Sequence, residues 1–163
     1  MFTPPPIDPE GRIAKSLRPL RRISAALAVT VGVFVVLSWV LLEGLAIRPA
    51  SRMPEAVPVS MTAFAMILLL LSSRMRTNIL RKALPATPGF PMDLGRLLEG
   101  YRRATLVSFV MLECAALAGL TVALLTGTAF YGIVLGAASL VSMATRWPRE
   151  SDVDRIARGR RSP

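Results

Sequence analysis

Glu113 is a carboxylate in the middle of an apolar stretch of membrane length, and its position makes it the first candidate for chemistry in this chain. The stretch runs from Tyr101 to Thr126 and begins at a basic pair, Arg102 and Arg103. With a rise of 1.5 Å per helical residue, Glu113 lies roughly 15 Å beyond Arg103, about half of a ~30 Å hydrocarbon core. A carboxylate at that depth is costly, so we expect it to be protonated, paired or functional.

Two states could accommodate Glu113 in lipid. The predicted membrane spans contain no Lys, Arg or His, so the chain supplies no cation at that depth. Either the acid stays protonated and donates a hydrogen bond to a hydroxyl or carbonyl of a neighbouring helix, or a cation arrives from another subunit or from solution. Glu113 is therefore the candidate proton- or ion-binding residue. Glu43 falls near the outer end of the first span and is interpreted as a solvated carboxylate.

The composition excludes several other kinds of site. The chain has no histidine, which removes histidine metal ligation and every catalytic arrangement that uses a histidine base. Its single cysteine, Cys114, lies in an apolar run and is interpreted as a small apolar side chain. The remaining Ser and Thr hydroxyls have no evident base. We therefore predict a protein that is not an enzyme and has no catalytic residues, no metal site and no cofactor.

The apolar runs predict an all-α fold, an integral membrane four-helix bundle made of two transmembrane hairpins. The chain has 163 residues, of which 53% are hydrophobic, and we treat residues 23–146 as one membrane domain. The predicted spans cover about residues 23–46, 56–73, 104–125 and 129–145. The turn Thr126-Gly127-Thr128 separates the last two spans.

Polar segments connect and flank these spans. Residues 1–22 form a Pro-rich basic N-terminal segment, residues 74–103 a basic loop, and residues 147–163 a basic tail that we expect to be mobile. The end of the loop is amphipathic, with Asp93 placed to cap a short helix. This helix either lies on the membrane surface or leads straight into the third span. Its apolar side chains are Leu94, Leu97, Leu98 and Tyr101.

The distribution of Lys and Arg predicts the orientation. Eighteen of the twenty basic residues lie in the N-terminal segment, in the long loop, and in the tail together with Arg146 directly before it. Both termini and that loop should therefore face the cytoplasm, with the protein in the inner, cytoplasmic membrane of the cell. Tyr101 and Trp147 would then lie at the cytoplasmic interface. The formal charge of +10 is explained by topology, and no nucleic-acid partner is indicated. The predicted contacts to lipid headgroups are Arg74, Arg76, Arg81, Lys82, Arg102 and Arg103.

Small residues repeat at every fourth position in the last two spans. The third span carries Ala115, Gly119 and Ala123, and the fourth carries Gly132 and Gly136. Such faces let helix backbones approach closely in lipid. We interpret them as the packing face between the third and fourth spans.

The segment from Glu113 to Leu125, ECAALAGLTVALL, resembles the carboxylate-bearing helix of the rotary ATP synthase c subunit, the proteolipid. The matching positions are Glu113, Ala116, Gly119, Leu120, Val122, Ala123, Leu124 and Leu125. The resemblance is confined to this helix and implies that Glu113 binds and releases a proton or sodium ion as it passes an arginine of a partner subunit.

Two functions follow from these observations. The first is an accessory or structural subunit of a larger membrane complex, with the lipid bilayer and other membrane subunits, or further copies of this chain, as partners. It is favoured by the small-residue faces and by the absence of a catalytic constellation. The alternative is a component that translocates protons or cations through Glu113.

Overall fold

A computed structural model describes residues 11–44, 54–83 and 94–158, and within these residues the chain forms helices and no strand. The prediction of an all-α fold is therefore confirmed for them. Helix α1 is followed directly by a π-helical turn, and α5 is a short terminal helix. The helices are α1 (Arg12–Trp39, then the π-turn Val40–Gly44), α2 (Ala56–Ala83), α3 (Leu94–Thr126), α4 (Ala129–Thr145) and α5 (Glu150–Arg158).

Helix α3 is the central element of the bundle. It packs against α1, α2 and α4, and α1 packs against both α3 and α4. Half of the residues in the most apolar 18-residue stretch of α3 are buried, compared with 11% in the corresponding stretches of α1 and α2. The small and apolar side chains of α3 therefore face other helices, whereas α1 and α2 keep most of their apolar surface on the outside.

Three of the helices are long and apolar enough to cross a membrane: Ile13–Gly44, Ala56–Ala83 and Leu94–Thr126. Their outer surfaces carry large apolar side chains, such as Leu70, which is 69% exposed, and Val29, which is 66% exposed. Apolar surface of this extent is typical of contact with lipid or another protein. Helix α4 has 17 residues, a length of about 26 Å, and the chain bends by 62° between it and α5.

Helix α1 begins well before the predicted first span. Its first turns carry Ile13, Leu17 and Leu20 at a helical spacing, and all three are buried against α3 and α5. This spacing places the three side chains on one face of α1, which packs against the other two helices. The basic residues between them lie on the exposed face. The described part of the predicted N-terminal segment is thus an amphipathic extension of α1. Residues 1–10 lie outside the described residues.

The predicted loop 74–103 is helical at both of its ends. Helix α2 continues to Ala83, and α3 begins at Leu94 and runs without a break into the apolar stretch. Of the two alternatives for the amphipathic piece, the structure shows the one that leads straight into the span. Residues 84–93, with the predicted cap Asp93, lie outside the described residues.

The tail prediction requires a correction. Residues 150–158 form α5, and the Val153 side chain is fully buried in the same cluster as Leu17 and Tyr101. The start of α5 is held by Arg21, whose Nε donates to the carbonyl of Pro148 at 3.1 Å and whose Nη2 lies 3.1 Å from Glu150 Oε1. A mobile tail was expected because its apolar residues are few, but the buried Val153, the partly buried Ile156 and the contacts of Arg21 dock this short helix.

The predicted break between the last two long helices is confirmed. Gly127 has a φ of 68°, and the Thr128 amide donates to the carbonyl of Ala123 at 3.2 Å. This bond from the residue after the left-handed position to the last turn of α3 closes a Schellman-type cap. Glycine accepts the positive φ without steric cost, so the chain reverses there and α4 packs back on α3.

Candidate functional site

Glu113 lies on the outward surface of α3. Its side chain is partly exposed, and the residues one turn before and one turn after it, Val110 and Leu117, are each 48% exposed. Since positions three and four apart share a helix face, Glu113 and these two residues form an outer ridge of α3. The ridge borders the covered face of the helix, because Phe109 and Ala116, which are also one turn from Glu113, are buried.

Within the residues that the structure describes, the carboxyl group of Glu113 forms no hydrogen bond and no ion pair. The Ser and Thr hydroxyls of the long helices mostly donate to carbonyls of their own helix, as Thr121 does to Leu117 at 2.9 Å. The hydrogen bond to a neighbouring helix that could have satisfied a protonated Glu113 is therefore not formed. The role of Glu113 as a proton- or ion-binding residue stays a prediction.

Glu43 lies in the π-turn after α1 and is exposed. This placement agrees with its interpretation as a carboxylate at the end of a helix. The nearby basic residues Arg48 and Arg52 lie outside the described residues.

The small residues predicted to pack helices are all buried, but they serve two interfaces. A Cβ placed on Gly119 would lie 2.8 Å from the Cβ of Leu135, so this glycine brings α3 and α4 together. Cβ atoms on Gly132 and Gly136 would instead collide with Ser38 and Val35 of α1. The two glycines of α4 thus face mainly α1, and the packing is a contact of three helices. Ala115 and Ala123 lie on the inner face of α3.

Five of the six predicted headgroup contacts are exposed, namely Arg74, Arg81, Lys82, Arg102 and Arg103, and their contact with lipid stays a prediction. Arg76 is different. Its guanidinium carbon lies 5.8 Å from the centre of the Tyr101 ring, and its Nε is buried without a hydrogen-bond partner. Tyr101 is itself fully buried within the bundle, and its position at the membrane interface stays a prediction. Arginine stacked on a tyrosine face gains a cation–π attraction.

Arg146, the residue after α4, also faces the bundle. Its Nη1 donates to Ser72 Oγ of α2 at 2.7 Å and to Ser108 Oγ of α3 at 3.0 Å. Ser72 in turn donates to the carbonyl of Leu69 at 2.7 Å. Burial lowers the pKa of the Arg146 guanidinium, and the positive charge of Arg76 lowers it further. Arginine nevertheless remains charged at any physiological pH.

These two arginines belong to a polar cluster at the end of the bundle where α2, α3 and α4 meet. The hydroxyls of Tyr101 and Thr105 are buried there without a hydrogen-bond partner, although the Arg76 guanidinium and the backbone of Arg149 lie close to Tyr101. Uncompensated buried polar groups are uncommon in native proteins. We refer to the following six residues as the arginine cluster: Ser72, Arg76, Tyr101, Thr105, Ser108 and Arg146.

Sequence reasoning missed this cluster because each arginine fits an interfacial position. A signal was present in the spacing of the polar residues. Ser72 and Arg76 are four apart on α2, and Tyr101, Thr105 and Ser108 follow at four and three on α3, so each set lines one helix face. When two apolar helices each carry polar residues on one face at the same end, a buried polar contact between the two helices is expected there.

The cluster has no features of a metal centre. No group of three or more His, Cys, Asp or Glu side chains comes together among the described residues. The donor set of the cluster, guanidinium and hydroxyl groups, binds anions and not metal cations.

The chain matches no protein-family model, and no curated protein or solved structure matches it significantly. The resemblance of Glu113–Leu125 to the proteolipid helix accordingly stays a prediction.

Proposed function

We propose that this chain is a small, non-enzymatic integral membrane protein that acts as an accessory subunit of a larger membrane complex and contacts its partner through the outer ridge of α3. The observation that carries the proposal is Glu113, which is partly exposed at mid-helix and has no partner among the described residues. An unsatisfied carboxyl group in hydrocarbon costs several kcal/mol. A neighbouring subunit that supplies a hydrogen-bond acceptor or a cation would remove this cost.

The flanking surface supports a protein partner. Val110 and Leu117 continue the ridge on either side of Glu113 and are each half exposed. Membrane interfaces combine such close apolar contact with a few polar side chains that bond across helices. Cys114, exposed next to Glu113, lies on the adjoining surface.

The proposed topology has four spans, with both termini and the connection between α2 and α3 in the cytoplasm of the cell. It is supported by the position of eighteen of the twenty basic residues. Helix α4 contains no charged residue, and its length of about 26 Å is sufficient to cross a thin or locally compressed hydrocarbon core.

Purification from native membranes in a mild detergent tests the accessory role. We expect a larger membrane protein to co-purify in fixed stoichiometry, and Glu113→Leu to reduce its recovery several-fold. Glu43→Leu is the matched control because it removes an exposed carboxylate at the end of α1. Recovery of the wild-type chain as a monomer, or equal recovery of the partner with Glu113→Leu, would contradict the proposal. A disulfide between two Cys114 side chains on oxidation would identify the partner as a second copy.

Proton or cation translocation is the second candidate, and the outward position of Glu113 favours it as well. A carboxyl group that exchanges a proton must be reachable from outside its own bundle. Hydrophobic carbodiimides react with protonated carboxyl groups in lipid, so we expect Glu113 to be labelled and Glu43 to be spared. If Glu113 is inert at every pH, or if Glu113→Gln leaves proton flux into vesicles unchanged, this second function is excluded.

A further inference from the structure

We infer that the arginine cluster is a binding site for a phosphoryl anion, held between the guanidinium groups of Arg76 and Arg146 at the basic end of the bundle. This site is independent of Glu113 and of the accessory role, because it uses different residues and lies nearer to the start of α3.

Two positive charges lie close together in the cluster. Arg146 is hydrogen-bonded to Ser72, which lies one turn before Arg76 on α2, and the charge of Arg76 acts on Arg146. Neither arginine forms an ion pair with a carboxylate among the described residues. One acidic group, Asp152 of α5, acts on the Tyr101 hydroxyl. Two like charges in a partly buried position repel each other. An anion between them converts that repulsion into two attractions.

Several hydrogen-bond donors of the cluster are unused. Arg76 Nε and Thr105 Oγ1 are buried and have no hydrogen-bond partner. The Tyr101 hydroxyl lies close to the Arg76 guanidinium and to the backbone of Arg149, which can donate to its oxygen, but its own hydrogen has no acceptor. They come from adjacent helix faces, and each can donate one hydrogen. Leaving such groups unsatisfied is costly, and an oxyanion at the cluster could accept from them. The two guanidinium groups are only partly buried, so an anion can reach them from outside the bundle.

The number and shape of the donors indicate the class of anion. Two planar guanidinium groups and additional hydroxyl donors match the several oxygens of a phosphoryl group, which guanidinium binds through paired hydrogen bonds. Two sources offer this chemistry, the headgroup of an anionic phospholipid and a soluble phosphate. The cluster lies where apolar helix segments give way to basic ones, which is the level of the headgroups in the proposed topology.

Thermal unfolding of the purified full-length chain in detergent tests the site. A ligand that binds the folded state raises the unfolding midpoint in a saturable way. One arm titrates phosphatidylglycerol against phosphatidylcholine, and the other titrates inorganic phosphate against sodium chloride at equal ionic strength. The variants are Arg76→Gln and Arg146→Gln. Arg18→Gln is the matched control because it removes one exposed positive charge of α1 that belongs neither to the cluster nor to the predicted headgroup contacts.

We expect a saturable shift for the wild type and the control, and roughly a tenfold or larger loss of apparent affinity in both cluster variants, as for the removal of a charge-assisted hydrogen bond. A shift with phosphatidylglycerol alone identifies the source as a headgroup, and a shift with inorganic phosphate identifies a soluble ligand. No saturable shift in either arm, or unchanged affinity in both variants, overturns the inference and leaves the arginines a packing role only.

Tyr101→Phe and Thr105→Val keep the test decisive if the arginine variants do not fold. Each removes one donor and nearly preserves the side-chain volume. We expect several-fold weaker binding in at least one of them. Wild-type affinity in both would also overturn the inference.

Discussion

Arg146 donates a hydrogen bond to Ser72 Oγ across 2.7 Å, and this bond joins the end of α4 to α2. The two helices otherwise have little contact, because α3 lies between them. The same guanidinium donates to Ser108 on α3, so a single side chain connects three helices at one end of the bundle. The relative positions of α2, α3 and α4 at this end of the bundle therefore depend on a polar contact.

Removal of this contact should destabilise the bundle even without a bound anion. Arg146→Ala deletes both hydrogen bonds and leaves the Ser108 hydroxyl buried. Hydrogen bonds to charged groups contribute about 1.5–3 kcal/mol, so we expect the free energy of unfolding to fall by that order. Unfolding in detergent by a chemical denaturant, followed by circular dichroism, measures the change. Arg155→Ala is the control because it lies exposed on α5, and equal stability of the two variants would contradict the expectation.

The glycines of α4 should tolerate no added side chain. In Gly132→Ala the new methyl group would collide with the Ser38 side chain, which donates to the carbonyl of Phe34 at 2.8 Å and is thereby held in place. Overpacking of this kind costs about 1–3 kcal/mol. Gly32→Ala on α1 is the matched control, since nothing lies within 4 Å of its new Cβ.

The control variant Gly32→Ala is expected to change the stability in the opposite direction or not at all. Alanine in a helix interior is favoured over glycine by about 0.5–1 kcal/mol, so Gly32→Ala should be neutral or slightly stabilising. The unfolding midpoints of both variants can be compared with that of the wild type in one detergent. Equal destabilisation by the two substitutions would show that α1 and α4 do not approach as closely as the structure indicates.

Docking of α5 should depend on Val153. Val153→Asp places a charge in the fully buried cluster formed with Leu17 and Tyr101, and we expect α5 to detach and become accessible to trypsin at Arg155. Ser151→Asp adds the same charge at an exposed position of α5 and should leave cleavage unchanged. Mass spectrometry of timed digests measures the rate. Identical rates in both variants would exclude a docked α5.

The long apolar helices could be predicted from the sequence because their signal is local. Uncharged runs of eighteen or more residues leave helix as the structure that satisfies the backbone in lipid, and Gly127 supplies the one break within the longest run. The outward position of Glu113 could not be predicted. It depends on which face of α3 is covered by α1, α2 and α4, and the apolar residues of this helix extend around its whole circumference.

The arginine cluster shows a second limit of sequence reasoning. Arg74 and Arg76 are two residues apart at the end of the same span, yet one is exposed and the other packs on Tyr101. Charge counting treats them as equivalent, because topology depends on the side of the membrane and not on the helix face. The docking of α5 was missed for a similar reason, since it depends on a surface assembled from Leu17 of α1 and from Leu97 and Tyr101 of α3, two helices that are far apart in the sequence.

Cysteine accessibility distinguishes four spans from three. In a Cys114→Ala background, single cysteines replace Glu55 before α2, Thr77 near the end of α2, and Ser151 on α5, all of which are exposed. Intact cells are treated with a membrane-impermeant maleimide, with and without lysis. The proposed topology predicts labelling of the cysteine at position 55 in intact cells, and of those at 77 and 151 only after lysis.

The cysteine at position 151 decides the number of spans. If α4 crosses the membrane, α5 returns to the side on which the N-terminal segment and the end of α2 lie, and positions 77 and 151 behave alike. If α4 instead remains on the far side, position 151 is labelled in intact cells together with position 55. The second pattern would also separate α4 from the end of α2 by the thickness of the bilayer, which is incompatible with the 2.7 Å bond between Arg146 and Ser72.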